Sequence, residues 1–189
     1  MDLPREDGIY IHDTVWRGIS VDGPFVPEED GIYVLYFRNS KCPGCKAFDE
    51  TWSRFVEGVR DLYRFVVVQC TEFFTNCSSG DAVDTFLFYL VFETPQIVVI
   101  VVKDGMIIYL EREIGSLTYN RLREFVINIE ERMNDYLKRD EEVDSNEEGL
   151  YIDFSERNWK EIVRRIKALL DGRELREVCD EDGCRLVIV

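Results

Sequence analysis

Residues Gly31 to Phe37 read Gly-Ile-Tyr-Val-Leu-Tyr-Phe, and from Pro43 onward the apolar period becomes helical: Phe48, Trp52, Phe55, Val56, Val59, then Leu62 and Tyr63. A strand that is apolar at every position rather than at alternate ones must be covered on both faces. The helix that follows it is amphipathic and supplies one such cover. Phe65 to Gln69 is a second strand of the same kind. Ile97 to Val102 and Met106 to Leu110 flank Lys103-Asp104-Gly105, whose Asp-Gly pair predicts a tight hairpin. The alternation of buried strands with helices predicts an α/β fold with a central mixed β-sheet flanked by helices.

Further helices are marked by caps and stripes. Cys77, Ser78, Ser79 and Gly80 form a loop before a helix whose expected N-cap is Asp81. After Gly115, Thr118 is the expected cap of one long helix with the stripe Leu122, Phe125, Val126, Ile129, Met133, Leu137. Residues 140–149 hold six acids and no base, have no apolar period, and read as a solvated linker. The expected organisation is a domain over 1–139, an acidic linker over 140–149 and a C-terminal extension over 150–189. In that extension Ser155 caps a helix with Trp159, Ile162, Val163, Ile166, Leu169 and Leu170 on one face and Arg157, Lys160, Arg164, Arg165 and Lys167 on the other. Gly172 ends it, and Glu174 to Cys179 and Cys184 to Val189 form a hairpin around Asp180-Glu181-Asp182-Gly183, giving an αββ unit. The basic face reads as solvated surface, or as a dock for the acidic linker or an acidic partner. As an edge, the final strand Leu186-Val187-Ile188-Val189 invites pairing with a second copy, so a homodimer is expected as a testable state.

Composition narrows the chemistry. The 189 residues include 38 acids against 23 bases, a net charge of −15, which argues against nucleic acid or an anionic membrane surface as partner. No apolar run approaches the ~20 residues of a membrane span, and the N-terminus has no secretory pattern, so a cytoplasmic protein is expected. One histidine removes most routes to a histidine triad or multi-histidine metal centre, whereas six cysteines point to sulfur. Cysteines in an intracellular chain usually mean redox or metal chemistry, and the scarcity of Asn and Gln relative to charged residues is thermophile-like.

The working sulfur is expected at Lys41-Cys42-Pro43-Gly44-Cys45-Lys46. Two thiols three residues apart at a helix start can close a small disulfide ring or share one proton. Cys42 faces the unpaired N–H groups and the positive end of the helix dipole, which favour thiolate, and Lys41 and Lys46 add positive charge. Thiolate is the nucleophile of disulfide exchange, so Cys42 is poised to attack and Cys45, deeper in the helix, to resolve the mixed disulfide. Pro43 suits a first helical turn because it has no N–H to satisfy. The bland alternatives are an inert disulfide or half a zinc site.

The stretch 31–139 resembles the thioredoxin superfamily. Tyr33–Phe37, Cys42-Pro43-Gly44-Cys45 at a helix start, Thr94-Pro95-Gln96 before a strand–Lys-Asp-Gly–strand hairpin, and Gly115-Ser116-Leu117 before the last helix occur in that family's order. The resemblance implies a thioredoxin-like fold, thiol–disulfide oxidoreductase activity on protein disulfides, a redox-active Cys42/Cys45 pair and no other cofactor or metal. It also implies that Pro95 is a cis-proline facing the cysteines and that Thr94 offers its backbone to an incoming peptide. Two features depart from the pattern: Lys41 stands where thioredoxins have tryptophan, and Tyr36 stands where a buried acid is expected. Proline directly after the first cysteine is closer to glutaredoxins and periplasmic disulfide oxidases.

Cys179 and Cys184 bracket the C-terminal turn and Cys70 lies a short loop from Cys77, so two structural disulfides are expected. One alternative joins all four as a zinc site, for which the spacings are poor, and another is a redox relay from Cys42/Cys45 to a second pair. His12 reads as a surface or packing residue, and Phe73 and Phe74 as core or as an apolar lip for a peptide. A competing functional reading is a non-catalytic interaction module on the same scaffold, whose cysteines form structural disulfides and whose acidic surface or basic C-terminal helix binds a partner.

Overall fold

The computed structural model describes residues 2–139 and 158–189. The acidic linker and the Ser155 cap fall outside the described residues. An N-terminal hairpin, β1 (Gly8–His12) and β2 (Trp16–Ile19), precedes β3 (Gly31–Asn39), α1 (Pro43–Val59), β4 (Arg64–Cys70) and α2 (Gly80–Phe88). Then come the two-residue β5 (Glu93–Thr94), β6 (Gln96–Lys103), β7 (Met106–Ile114), α3 (Tyr119–Ile127) and α4 (Ile129–Arg139). The C-terminal elements are α5 (Trp159–Leu170), β8 (Leu175–Cys179) and β9 (Cys184–Ile188).

The main sheet has the order β2-β1-β4-β3-β6-β7, with β3 and β4 parallel and the other neighbours antiparallel. It is a central mixed sheet flanked by helices. Alternate side chains of the central strands enter two separate cores. Val34, Tyr36, Val67 and Val99 meet Phe48, Trp52 and Phe55 of α1 and Leu122 and Phe125 of α3. Leu35, Phe37, Val66 and Val68 meet Phe86 and Phe88 of α2 and Val163 and Ile166 of α5. This double cover is why β3 carries no polar alternation.

Local chemistry sets the element ends. The Lys103–Met106 turn has Asp104 and Gly105 at φ 53° and 70°, the left-handed pair a two-residue hairpin requires. Ser79, not Asp81, caps α2: its hydroxyl accepts from Ala82 N at 3.3 Å. Asp81 lies one residue inside, and its carboxylate instead accepts from Val21 N and the Ser20 hydroxyl. Thr118 caps α3 through Arg121 N, but the expected long helix is two, interrupted at Asn128. Helix α1 stops at Val59, leaving Leu62 69% exposed rather than on its apolar stripe. Gly172 lies just beyond α5 with φ 72°.

The C-terminal elements pack back onto the rest. Trp159 meets Phe88 edge to face, Lys160 pairs with Asp22, and Lys167 Nζ lies 2.6 Å from Asp84 Oδ1. Part of the basic face of α5 is thus used within the chain, and Arg164 and Arg165 pair with Glu161 of the same helix. Strand β9 is not a free edge. It is central in a second sheet ordered β5-β9-β8, which removes the structural ground for dimer pairing through that strand.

Candidate active site

Strand β3 delivers the chain to Cys42, the N-cap of α1, with Pro43 in the first turn. Cys42 Sγ accepts from Cys45 N at 3.3 Å and lies 3.6 Å from the Thr94 carbonyl oxygen, to which its thiol donates when protonated. Both cysteines are free thiols and both are fully buried. The Cys45 thiol, with the backbone N–H groups of Cys45 and Gly44, stabilises negative charge on Cys42 and lowers its pKa to about 6 against the opposing effect of burial. Burial pushes the Cys45 thiol up, and its hydrogen bond to Cys42 adds to the rise. The two shifts run in opposite directions and favour, at neutral pH, a thiolate on Cys42 and a retained proton on Cys45.

The flanking lysines contribute less than the sequence suggests. Lys41 is engaged 2.8 Å from Glu72 Oε1, and Lys46 is exposed. The leading cause of the Cys42 shift is hydrogen bonding rather than either ammonium group.

The Thr94–Pro95 peptide bond is cis and presents the Thr94 carbonyl to Cys42. Behind Cys45 lies a network that the sequence does not announce. The Tyr36 hydroxyl is 2.9 Å from Asp49 Oδ1 and 3.2 Å from the Cys45 carbonyl oxygen. Arg38 Nη2 is 2.7 Å from Asp49 Oδ2, and Arg38 also donates to Gln69. Burial raises the Asp49 carboxyl against the pull of Arg38. So an acid does stand near Cys45, supplied by α1 rather than β3. Its signal was the spacing of Cys45 and Asp49, four residues apart on one helix.

The remaining four cysteines stand as two disulfides, Cys70–Cys77 and Cys179–Cys184, rather than as one tetrahedral set. Among the described residues, Glu177, Cys179 and Cys184 are close enough to share an ion, but two of those three sulfur and oxygen donors are consumed by their mutual disulfide. Phe73 is core, while Phe74 is half-buried and meets Phe92 edge to face. His12 packs against Trp16 at 5.0 Å on β1, well removed in the sheet from Cys42. A cleft of about 1030 Å3 is lined by residues including Phe25, Tyr33, Arg64 and Trp159 and shares none with the cysteine site.

With this geometry in view, the chain can be set beside solved structures, among which several chains are similar to it. The chain is similar to chloroplastic thioredoxin z. The match has 16% sequence identity and a TM-score of 0.42, over 61% of this chain and 99% of the other. No family model matches the sequence, and no curated protein matches it.

The sequence does not disclose whether the C-terminal unit covers the site, and the structure shows that it does. The turn of the C-terminal hairpin lies directly on the Cys-Pro-Gly-Cys segment. A Cβ atom on Gly44 would fall 2.2 Å from the Asp182 carbonyl oxygen, and one on Gly183 would fall 2.2 Å from that of Thr94. The Ser116 hydroxyl joins the two, 3.0 Å from Gly44 O and 3.4 Å from Asp182 O. The signal available in sequence was the pair of glycines, each at a place where a side chain is otherwise admissible. Long-range contact of backbone on backbone leaves no periodic trace.

Proposed function

We propose that this chain is a thiol–disulfide oxidoreductase that exchanges two electrons with protein disulfides through Cys42 and Cys45. The observation that carries the reading is the lowered Cys42 pKa beside a shielded Cys45 thiol and the Thr94 carbonyl. The resemblance of the motif order to the thioredoxin superfamily supports the same assignment. In the reducing direction the Cys42 thiolate attacks one sulfur of a substrate disulfide and releases the other as thiolate. Cys45 gives its proton to that thiolate and attacks Cys42 Sγ. A Cys42–Cys45 disulfide forms, the second substrate sulfur leaves, and the substrate has gained two electrons. The reverse sequence oxidises a dithiol. The electrons reside in the sulfurs, so the cycle requires no organic cofactor or metal.

Titration against glutathione buffers of graded poise, with alkylation and peptide mass mapping, measures the Cys42/Cys45 couple directly. The expected result is a two-electron transition confined to that pair, together with insulin reduction that Cys42→Ser abolishes. A pair that forms no disulfide at any poise, or insulin reduction unchanged in Cys42→Ser, overturns the assignment.

The competing interaction-module reading draws on one observation: Cys42 is fully covered. The pH dependence of Cys42 alkylation in the reduced protein separates the two, because an unactivated thiol in such a module would ionise near the ordinary value of about 8.5.

A further inference from the structure

Peptides bind many domains by adding a strand to an exposed edge, so that main-chain hydrogen bonds hold the peptide and side chains set its identity. At this site that edge is the segment before Pro95, and it is already taken. Strand β9 runs antiparallel to β5, with Cys184 opposite Thr94 and Arg185 opposite Glu93, and Leu186 N donates to Phe92 O at 2.8 Å. The residue that sits across from Thr94 is thus half of a disulfide. Thr94 has Cys42 against its carbonyl oxygen and Cys184 in register on the added strand.

The seat is close on both sides. The turn residues Asp182 and Gly183 touch Gly44 and Thr94 through backbone atoms, an approach that any side chain at 44 or 183 would block. The crevice left between the hairpin and the segment around Thr94 is about 130 Å3, too small for a second peptide. Cys184 is 3% exposed and belongs to the same apolar cluster as Cys42 and Cys45, whereas Cys179 is exposed. The hairpin thus occupies the edge along which an added peptide strand would lie, with a disulfide cysteine opposite Thr94.

We infer that the C-terminal hairpin is a tethered substrate of this site and that Cys179–Cys184 is a second redox centre, exchanging electrons with Cys42/Cys45. The inference rests on the oxidoreductase reading and names its first partner. The Cys42 thiolate attacks Cys184 Sγ, a Cys42–Cys184 bond forms, and Cys179 leaves as thiolate toward solvent, where its charge is hydrated. Cys179 takes the proton of Cys45, and Cys45 attacks Cys42 Sγ and displaces Cys184. The net change is a Cys42–Cys45 disulfide and a reduced Cys179/Cys184 pair, with two electrons moved and no external reagent consumed. Exposed Cys179 can then attack a disulfide of another protein, which supplies the next oxidant.

Trapping tests the exchange in the full chain. In Cys45→Ser/Cys179→Ser, fully reduced and then treated with oxidised glutathione, the expected product is a Cys42–Cys184 cross-link by peptide mass mapping. Glutathione on both cysteines with no cross-link, in a variant of wild-type circular dichroism, overturns the inference. Gly183→Val supplies a measure that does not depend on trapping, because its side chain must lift the turn from the Thr94 carbonyl. Alkylation of Cys42 by iodoacetamide should then accelerate about tenfold or more relative to wild type, and an equal rate would mean that the hairpin does not occupy the groove. If these fail while Cys42 and Cys45 still form a disulfide in the glutathione titration, the tethered substrate is wrong and the oxidoreductase reading stands. If that disulfide also fails to form, the oxidoreductase reading falls with it.

Discussion

At the scale of single residues, the chemistry depends on how one proton is divided between two sulfurs. The Cys42 pKa is lowered to about 6, chiefly by the Cys45 thiol. Alkylation of the reduced protein should therefore rise with pH along a curve centred near that value, and Cys45→Ala should move the midpoint upward by removing the donor. The same ionisation links to folding. A thiol whose pKa falls on folding stabilises the native state fully above its unfolded value, about 8.5. That contribution is lost as the pH falls through about 6. Urea melts of reduced wild type should accordingly lose stability between those limits more steeply than melts of Cys42→Ser. Asp49 makes a second residue-level case. Arg38 is 6% exposed and bonded to Asp49, so Asp49→Ala strands a buried guanidinium and should cost about 3 kcal/mol in the same melts. Tyr36→Phe removes only a hydroxyl and should cost about 1 kcal/mol. The sequence showed that the acid expected at position 36 was missing. It could not show that Asp49 would approach from the neighbouring helix, because the link runs through the Tyr36 hydroxyl.

At the scale of elements, what was legible followed from local pattern. Strands β3, β4 and β6 were visible as apolar runs, the β6–β7 turn as Asp104-Gly105, and α1 as a period of large apolar residues. Hairpin β1–β2 was not visible, since its strands are short and β2 is exposed at its centre, so no run or alternation marks it. The break at Asn128 was hidden because the apolar stripe continues across it into α4. The cap of α2 was displaced by two residues because Ser79 and Asp81 are both good N-caps, and Asp81 is drawn to the backbone of Val21 instead. Ser79→Ala should therefore destabilise by about 1 kcal/mol in thermal melts. Helix α5 is held by Val163 and Ile166 in the core shared with α2, so Ile166→Ala should cost about 3 kcal/mol if the C-terminal elements unfold with the rest. Two separate transitions in calorimetry would show instead that they do not.

At the scale of the whole molecule, the two sheets meet at the segment around Pro95, where β5 closes the second sheet and β6 opens into the first. A sequence can announce a cysteine motif and a proline, and here it announced both, along with the fold class. It does not announce that residues near the C-terminus will return to lie on residue 44, since such a contact is made by backbone shape and not by a periodic pattern of side chains. That return also changes how substitutions at the motif should behave. Pro43 is exposed, while Gly44 is pinned beneath the Asp182 carbonyl. The two inner positions of the motif are thus unequal in mutational freedom. Exchanges at 43 should alter the reduction potential with the chain otherwise intact. Any exchange at 44 should pass through the tail first, and becomes innocuous only in a protein shortened to end before the hairpin. If Cys42 and Cys45 act as proposed, position 43 is left free for tuning, while the C-terminal hairpin holds position 44.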